Sequence, residues 1–154
     1  MSKGQNQILL VADFNIENLA GLINNDDHTL RLAAITAPFD QVSQVLMDKA
    51  HDSWRSKPDY ALVWTSPEKI SPAFARLKKF EKVSFELILE EVDQLAELLI
   101  KSAEYAKAMF VSTWTIPATE QFMGLLDLRK NTGVRRALQA MNARLTAQLD
   151  AHNN

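Results

Sequence analysis

The groups best placed for chemistry sit in the segment Ala12-Asp13-Phe14-Asn15. It follows a short β-rich run, Gln7-Ile8-Leu9-Leu10-Val11-Ala12, and leads straight into a helical period at Ile16. In α/β proteins such a junction lies on the carboxyl edge of the sheet, where ligands bind. Asp13, just past the strand, could act as a base or orient a ligand. Asn15 can cap a helix starting at Ile16, whose free N–H groups favour an anion. The plainer reading is that both side chains satisfy backbone donors at the turn. Trp64, followed by Thr65, ends a third β-like run, and Trp114 ends a fourth. If the strands run parallel, Phe14, Trp64 and Trp114 converge on one edge, with Phe39 after the second strand as a further contributor. The expected site is then Asp13, Phe14, Asn15, Trp64, Thr65 and Trp114, an aromatic cleft with a polar rim. It would suit an acyl-pantetheine arm or a sugar face. Alternatively the rings plug the sheet edge as core, or pack beneath a further domain.

Other chemistries find little support. The chain has no cysteine, which removes disulfides, thiolate nucleophiles and Cys-based zinc sites. His28, His51 and His152 lack metal-ligand spacing and read as surface residues. Only Gly4, Gly21, Gly124 and Gly133 are present, so no glycine-rich phosphate loop is available. Neither a metal nor a cofactor is expected. Glu90, Glu91 and Asp93 read as the solvated face of a helix. Arg129, Lys130, Arg135 and Arg136 cluster around the start of the last helix. They could meet a phosphate or an acidic carrier protein, or form a solvated basic patch.

The elements that must position these groups alternate between strand and helix. The first strand spans 7–12, and Ile16, Leu19, Ala20 and Ile23 repeat at helical spacing up to the turn Asn24-Asn25-Asp26-Asp27. A second strand over 30–36 stops before Pro38, and Asp40 reads as N-cap of a helix carrying Val42, Val45, Leu46 and Met47. The third strand spans 60–65. Ser71-Pro72 reads as N-cap and first helical residue of a short helix to about Phe80. Apolar spacing predicts a long helix over 84–106, capped by Ser84, then a fourth strand over 108–114 and a last helix over 134–150. Parallel strands need crossovers, so the expected fold is three-layer α/β/α with a parallel four-stranded sheet in the order 2-1-3-4. The switch point falls between strands 1 and 3. After the last helix only Ala151-His152-Asn153-Asn154 remains, where such folds usually add a fifth strand. Either strand 4 is an exposed edge or, as expected here, residues 1–154 are one domain cut from a longer protein.

Composition bounds the function. The chain has 154 residues, 47% hydrophobic and 23% charged, as in ordinary globular domains. Seventeen Lys and Arg against 19 Asp and Glu give a net charge of −2, with no pull toward nucleic acid or an anionic membrane. The first residues lack a signal-type apolar region and no apolar run reaches spanning length, so a cytoplasmic location is expected.

With these residues laid out, the chain resembles the N-terminal, SGNH-hydrolase-like domain of FkbH-type proteins of the HAD superfamily. The segments that carry the likeness are 8–15, Ala37-Pro38-Phe39-Asp40-Gln41-Val42, Lys57-Pro58-Asp59-Tyr60-Ala61-Leu62-Val63, Thr113-Trp114-Thr115-Ile116-Pro117, and the stretch from Gly133 through Asn142-Ala143-Arg144-Leu145. The resemblance implies an SGNH- or flavodoxin-like fold lacking its last strand, and a HAD-type catalytic domain as neighbour, in cis or in trans. It also implies a role in loading a phosphoglycerate-derived glyceryl unit onto an acyl carrier protein. The HAD nucleophile motif, Asp-x-Asp, does not occur in these residues, so that chemistry is not transferable to them. The SGNH pattern departs as well. Ala12-Asp13-Phe14 falls on the Gly-Asp-Ser block, which puts a phenyl ring where the nucleophilic serine should be. Trp64-Thr65-Ser66-Pro67 falls near the Gly-x-Asn-Asp oxyanion block without matching it.

The expectation is therefore a non-hydrolytic binding domain for an acyl carrier protein or a small acyl or sugar ligand. The enzyme alternative is an atypical esterase or acyltransferase using Asp13, with His51 or a residue of a partner chain. A third reading is a structural module that forms a homodimer through strand 4.

Overall fold

Every residue from Ile8 to Ala12 is buried, and this apolar run makes the first strand a central one, covered on both faces. The computed structural model describes residues 6–26, 32–117 and 124–152. Its strands are β1 (Asn6–Ala12), β2 (Leu32–Thr36), β3 (Tyr60–Trp64) and β4 (Ala108–Val111), all parallel, in the order β2-β1-β3-β4. The helices are α1 (Glu17–Asn24), α2 (Val42–Met47), α3 (Pro67–Ile70), α4 (Pro72–Lys78), α5 (Phe85–Ser102) and α6 (Val134–Asp150). The fold is thus α/β with the strand order read from the sequence. Leu30 and Arg31 of the expected second strand, Asp27 of the preceding turn and His28 lie outside the described residues.

The chain divides into two compact units, the first made of 1–65 and 101–112, the second of 66–100 and 113–154. In the first, the chain leaves β1 in one direction to reach β2, then returns past β1 to reach β3. Right-handed crossovers place α1 and α2 on opposite faces of the sheet. Side-chain alternation agrees. Ile8, Leu10 and Ala12 pack with Ile16, Leu19, Ala20 and Ile23 of the α1 segment. Leu9 and Val11 point the other way, and α2, whose Val42, Val45 and Leu46 are buried, touches β1. At the amino ends of the strands, Asp59 accepts from the Gln7 N–H at 2.9 Å and pairs with Lys107, tying β1, β3 and β4 together.

Several boundaries differ from expectation. The α1 helix starts at Glu17, and Asn15 accepts the Glu17 N–H at 3.0 Å without being the residue at the cap position. Asn24 is the last helical residue rather than part of a turn. Its amide donates to the Ala34 carbonyl at 3.1 Å and accepts the Ala34 N–H at 2.7 Å, so it serves the outer edge of β2 as a neighbouring strand would. Asp40 is not an N-cap: it has a φ of 57°, outside the extended geometry of a cap, and Gln41 occupies that position. Strand β4 ends at Val111 rather than Trp114, and the long helix ends at Ser102, followed by a 3-10 turn at Ala103–Tyr105.

In the second unit, the Ser71 hydroxyl accepts the Phe74 N–H at 2.9 Å, the cap read from Ser71-Pro72. Glu90 of α5 is exposed as expected, but the half-buried Glu91 and Asp93 are not part of a solvated face. Glu91 accepts from Ser71 and from the Ala73 N–H, and Asp93 holds the Arg144 guanidinium with two contacts of 2.7 Å. These carboxylates join α5 to α4 and α6. The Arg144 guanidinium also draws the Asp93 carboxyl below the usual carboxylate range.

Candidate functional site

At the carboxyl end of β1 the chain must leave the sheet and start α1 within four residues, 13–16, and this junction builds the site. Asp13 is 5% exposed, and Thr65, just past the end of the neighbouring β3, is also 5% exposed. Two buried polar residues thus mark the edge where β1 and β3 stop. Beyond them, Phe14 stands edge-on to Trp64, with ring centroids 5.5 Å apart and planes at 89°. Ala12 pairs in register with Trp64, so the two rings cap adjacent strands at the switch point. Both rings stay partly open to solvent, Phe14 at 37% and Trp64 at 42%.

A small cleft of about 110 Å³ lies beside this pair, between the ends of β1 and β2. Phe14 and Asn15 form one side, Thr36, Ala37 and Phe39 the other, and Ile16 with Glu17 brings in the start of α1. The Ala37 N–H donates to the Leu10 carbonyl at 2.8 Å, which continues the β1–β2 pairing into the cleft wall. The volume is small against the roughly 300–1,000 Å³ of pockets that enclose a drug-sized ligand. It has room for the head of a ligand, with aromatic faces of Phe14 and Phe39 and the Glu17 carboxylate nearby.

Of the expected site residues, the structure brings Phe14 and Asn15 to the cleft and sets Trp64 against Phe14. Asp13 and Thr65 are buried at the same strand ends. Trp114 belongs to the second unit, where it is 3% exposed and its backbone N–H and C=O are both bonded to the Asn142 amide, at 2.9 and 2.8 Å. The cleft itself lies one strand away from the switch point. Thr36 and Glu17 were not singled out by sequence reasoning. Their signal was positional: Thr36 is the last residue of a strand next to β1, and Glu17 the first of the helix that follows it. His51 accepts the Ser53 N–H through Nδ1 and so caps the 3-10 turn Asp52–Trp54. Among the described residues no three His, Asp or Glu are grouped to hold a metal ion, and no helix is long and apolar enough to cross a membrane.

These features can be set beside known proteins. The crystal structure of the N-terminal part of a Bacteroides fragilis protein, containing a phosphatase domain complexed with Mg, is similar to this chain with a TM-score of 0.68 and 19% identity. The likeness covers 96% of this chain and 38% of that one, so the chain spans well under half of its neighbour's length. Among curated proteins none matches the chain. A family model described as FkbH, N-terminal domain, matches residues 7–114, which takes in all of the sheet but Asn6, with Asp13, Phe14 and Trp64. The match covers more than half of the sequence, and the chain belongs to the FkbH N-terminal domain family.

Proposed function

We propose that this chain is a non-hydrolytic, SGNH-like binding domain that works beside a HAD-type catalytic domain, in cis or in trans. The pathway would be cytoplasmic biosynthesis of polyketides or surface glycans. Its ligand is a small acyl or sugar-like head group, free or carried on the pantetheine arm of an acyl carrier protein. Membership of the FkbH N-terminal domain family supports the association, as does the likeness to a protein containing a phosphatase domain.

The observation that carries the reading is Phe14. An SGNH hydrolase needs a serine hydroxyl at the position this residue holds, and without a nucleophile no acyl-enzyme forms. The ring instead contributes to an apolar edge-on pair and to the wall of a cleft sized for a head group. Asp13 sits at the polar base of this edge and Asn15 at the rim.

The test is calorimetric titration of the chain with acetyl-pantetheine and with holo acyl carrier protein. The reading predicts binding that weakens in Phe14→Ala and Trp64→Ala variants shown to be folded. Failure of both ligands to bind counts against it. Ester hydrolysis that disappears in Asp13→Asn would replace it with the atypical esterase or acyltransferase.

A further inference from the structure

The segment from Gly124 to Arg136 in the second unit breaks three local rules at once. In the 3-10 turn Gly124–Leu128, Asp127 is the buried residue at 8% exposure, while Leu125, Leu126 and Leu128 face solvent at 86, 55 and 43%. That inverts the usual burial of apolar and acidic side chains. The same stretch holds four cationic side chains, Arg129, Lys130, Arg135 and Arg136, against one carboxylate, in a chain whose net charge is −2. None of the four enters an ion pair among the described residues. Arg135 and Arg136 also lie in the first turn of α6, which has no acidic residue, and cations there oppose the helix dipole.

The arrangement is held in shape. A Cβ at Gly133 would stand 2.3 Å from the Asp127 carbonyl oxygen and 2.6 Å from the Arg129 nitrogen. Only glycine lets the start of α6 pack this closely on the turn. The Gly133 N–H donates to the Arg129 carbonyl at 2.8 Å and closes the loop. The three exposed leucines and four cations are therefore carried on one closely packed backbone segment.

We infer that this surface docks a protein partner through an acidic helix bearing an apolar stripe. Exposed leucines and arginines on one closely packed segment offer apolar area and interface-enriched arginine together, and the local excess of positive charge selects the sign of the partner. A lipid bilayer fits less well. Membrane-surface helices bury a long apolar face, whereas this one is a single short turn followed by the polar run Arg129-Lys130-Asn131-Thr132. The chain's overall negative charge also opposes an anionic bilayer. This inference stands apart from the cleft, since it calls for no acyl or sugar group.

The test uses the full chain and fluorescence anisotropy of a labelled helical peptide with glutamates flanking a leucine stripe. The comparison probes are the same peptide with lysines for glutamates, and vesicles containing phosphatidylserine. The expected result is binding of the acidic peptide that weakens as salt is raised and falls about tenfold in Leu125→Ser with Leu128→Ser. A similar fall is expected in Arg129→Glu with Arg136→Glu. Circular dichroism confirms that both variants are folded, and Arg129→Gln with Arg136→Gln serves if the charge reversal unfolds the chain. Absence of acidic-peptide binding, equal binding of the two peptides, or affinity unchanged in the folded variants would overturn the inference. So would binding to the vesicles alone.

Discussion

Replacing Phe14 with alanine removes one half of the aromatic pair at the switch point, and its cost follows from the geometry. The residue is 37% exposed, so roughly three-fifths of it is packed. Complete burial of a large apolar side chain contributes about 1.5–3 kcal/mol, which scales to about 1–2 kcal/mol here. The edge-on contact with Trp64, at 5.5 Å and 89°, is of the kind that adds about 0.5–1.5 kcal/mol beyond area. Phe14→Ala is therefore expected to destabilise the chain by about 1.5–3.5 kcal/mol, and Phe14→Leu, which keeps most of the area but not the ring, by about 0.5–1.5 kcal/mol. Urea unfolding followed by far-ultraviolet circular dichroism measures both. A Phe14→Ala cost below about 0.5 kcal/mol, the range of ordinary surface substitutions, would refute the claim that the ring is anchored.

Other expectations follow from single contacts. Asn24→Ala strips two hydrogen bonds from Ala34 on the outer edge of β2, and thermal unfolding should show a loss of about 1–3 kcal/mol, with Asn24→Asp unable to restore the donated bond. Phe80, just past the Lys79 cap of α4, lies in the left-handed region with φ of 64°, so Phe80→Gly should stabilise by about 0.5–1 kcal/mol once its greater unfolded-state freedom is offset. A lower melting temperature would show that the exposed ring compensates for the strain. Hydrogen bonds from Lys107 and from the Gln7 N–H hold Asp59 below its ordinary 3.8, and the bond from Arg144 does the same for Asp93. Their stabilisation is thus present above pH 3.8 and lost as pH falls through the lowered folded values. Asp59 correspondingly raises Lys107 above 10.5, so that contribution persists below 10.5 and disappears as pH rises past the folded value. Denaturant midpoints across pH should flatten on the acid side in Arg144→Gln, and an unchanged acid limb would count against the Asp93 pairing.

The sheet was legible because its signals agree with one another. A short unbroken apolar run closed by a polar junction suits a central strand, and helical periods between short β-like runs suit parallel crossovers. Phe14 and Asn15 were legible as junction residues for the same reason, lying where a central strand meets a helix, and both line the cleft there. The misreadings arise where one residue type serves two backbone states or two environments. Ser112 and Thr113 extend a β-like run, yet pairing ends after the Ser112 N–H reaches the Val63 carbonyl, and the backbone of Trp114 bonds to Asn142 instead. Aspartate favours caps but also tolerates the left-handed region, which is where Asp40 sits. Glu91 and Asp93 read as solvent-facing because helical spacing does not disclose a polar partner distant in sequence, Ser71 in one case and Arg144 in the other. The cleft between β1 and β2 depends on how Thr36, Ala37 and Phe39 leave the sheet, a matter of loop geometry that no periodicity encodes.

Ester hydrolysis, measured with p-nitrophenyl acetate on the wild-type chain and on Asp13→Asn, tests the central claim most directly. On the proposed reading Phe14 stands where an SGNH hydrolase has its serine, and His51 is engaged through Nδ1 by the Ser53 N–H, so both proteins should stay at the buffer rate. Turnover by the wild type that is abolished in Asp13→Asn would contradict it.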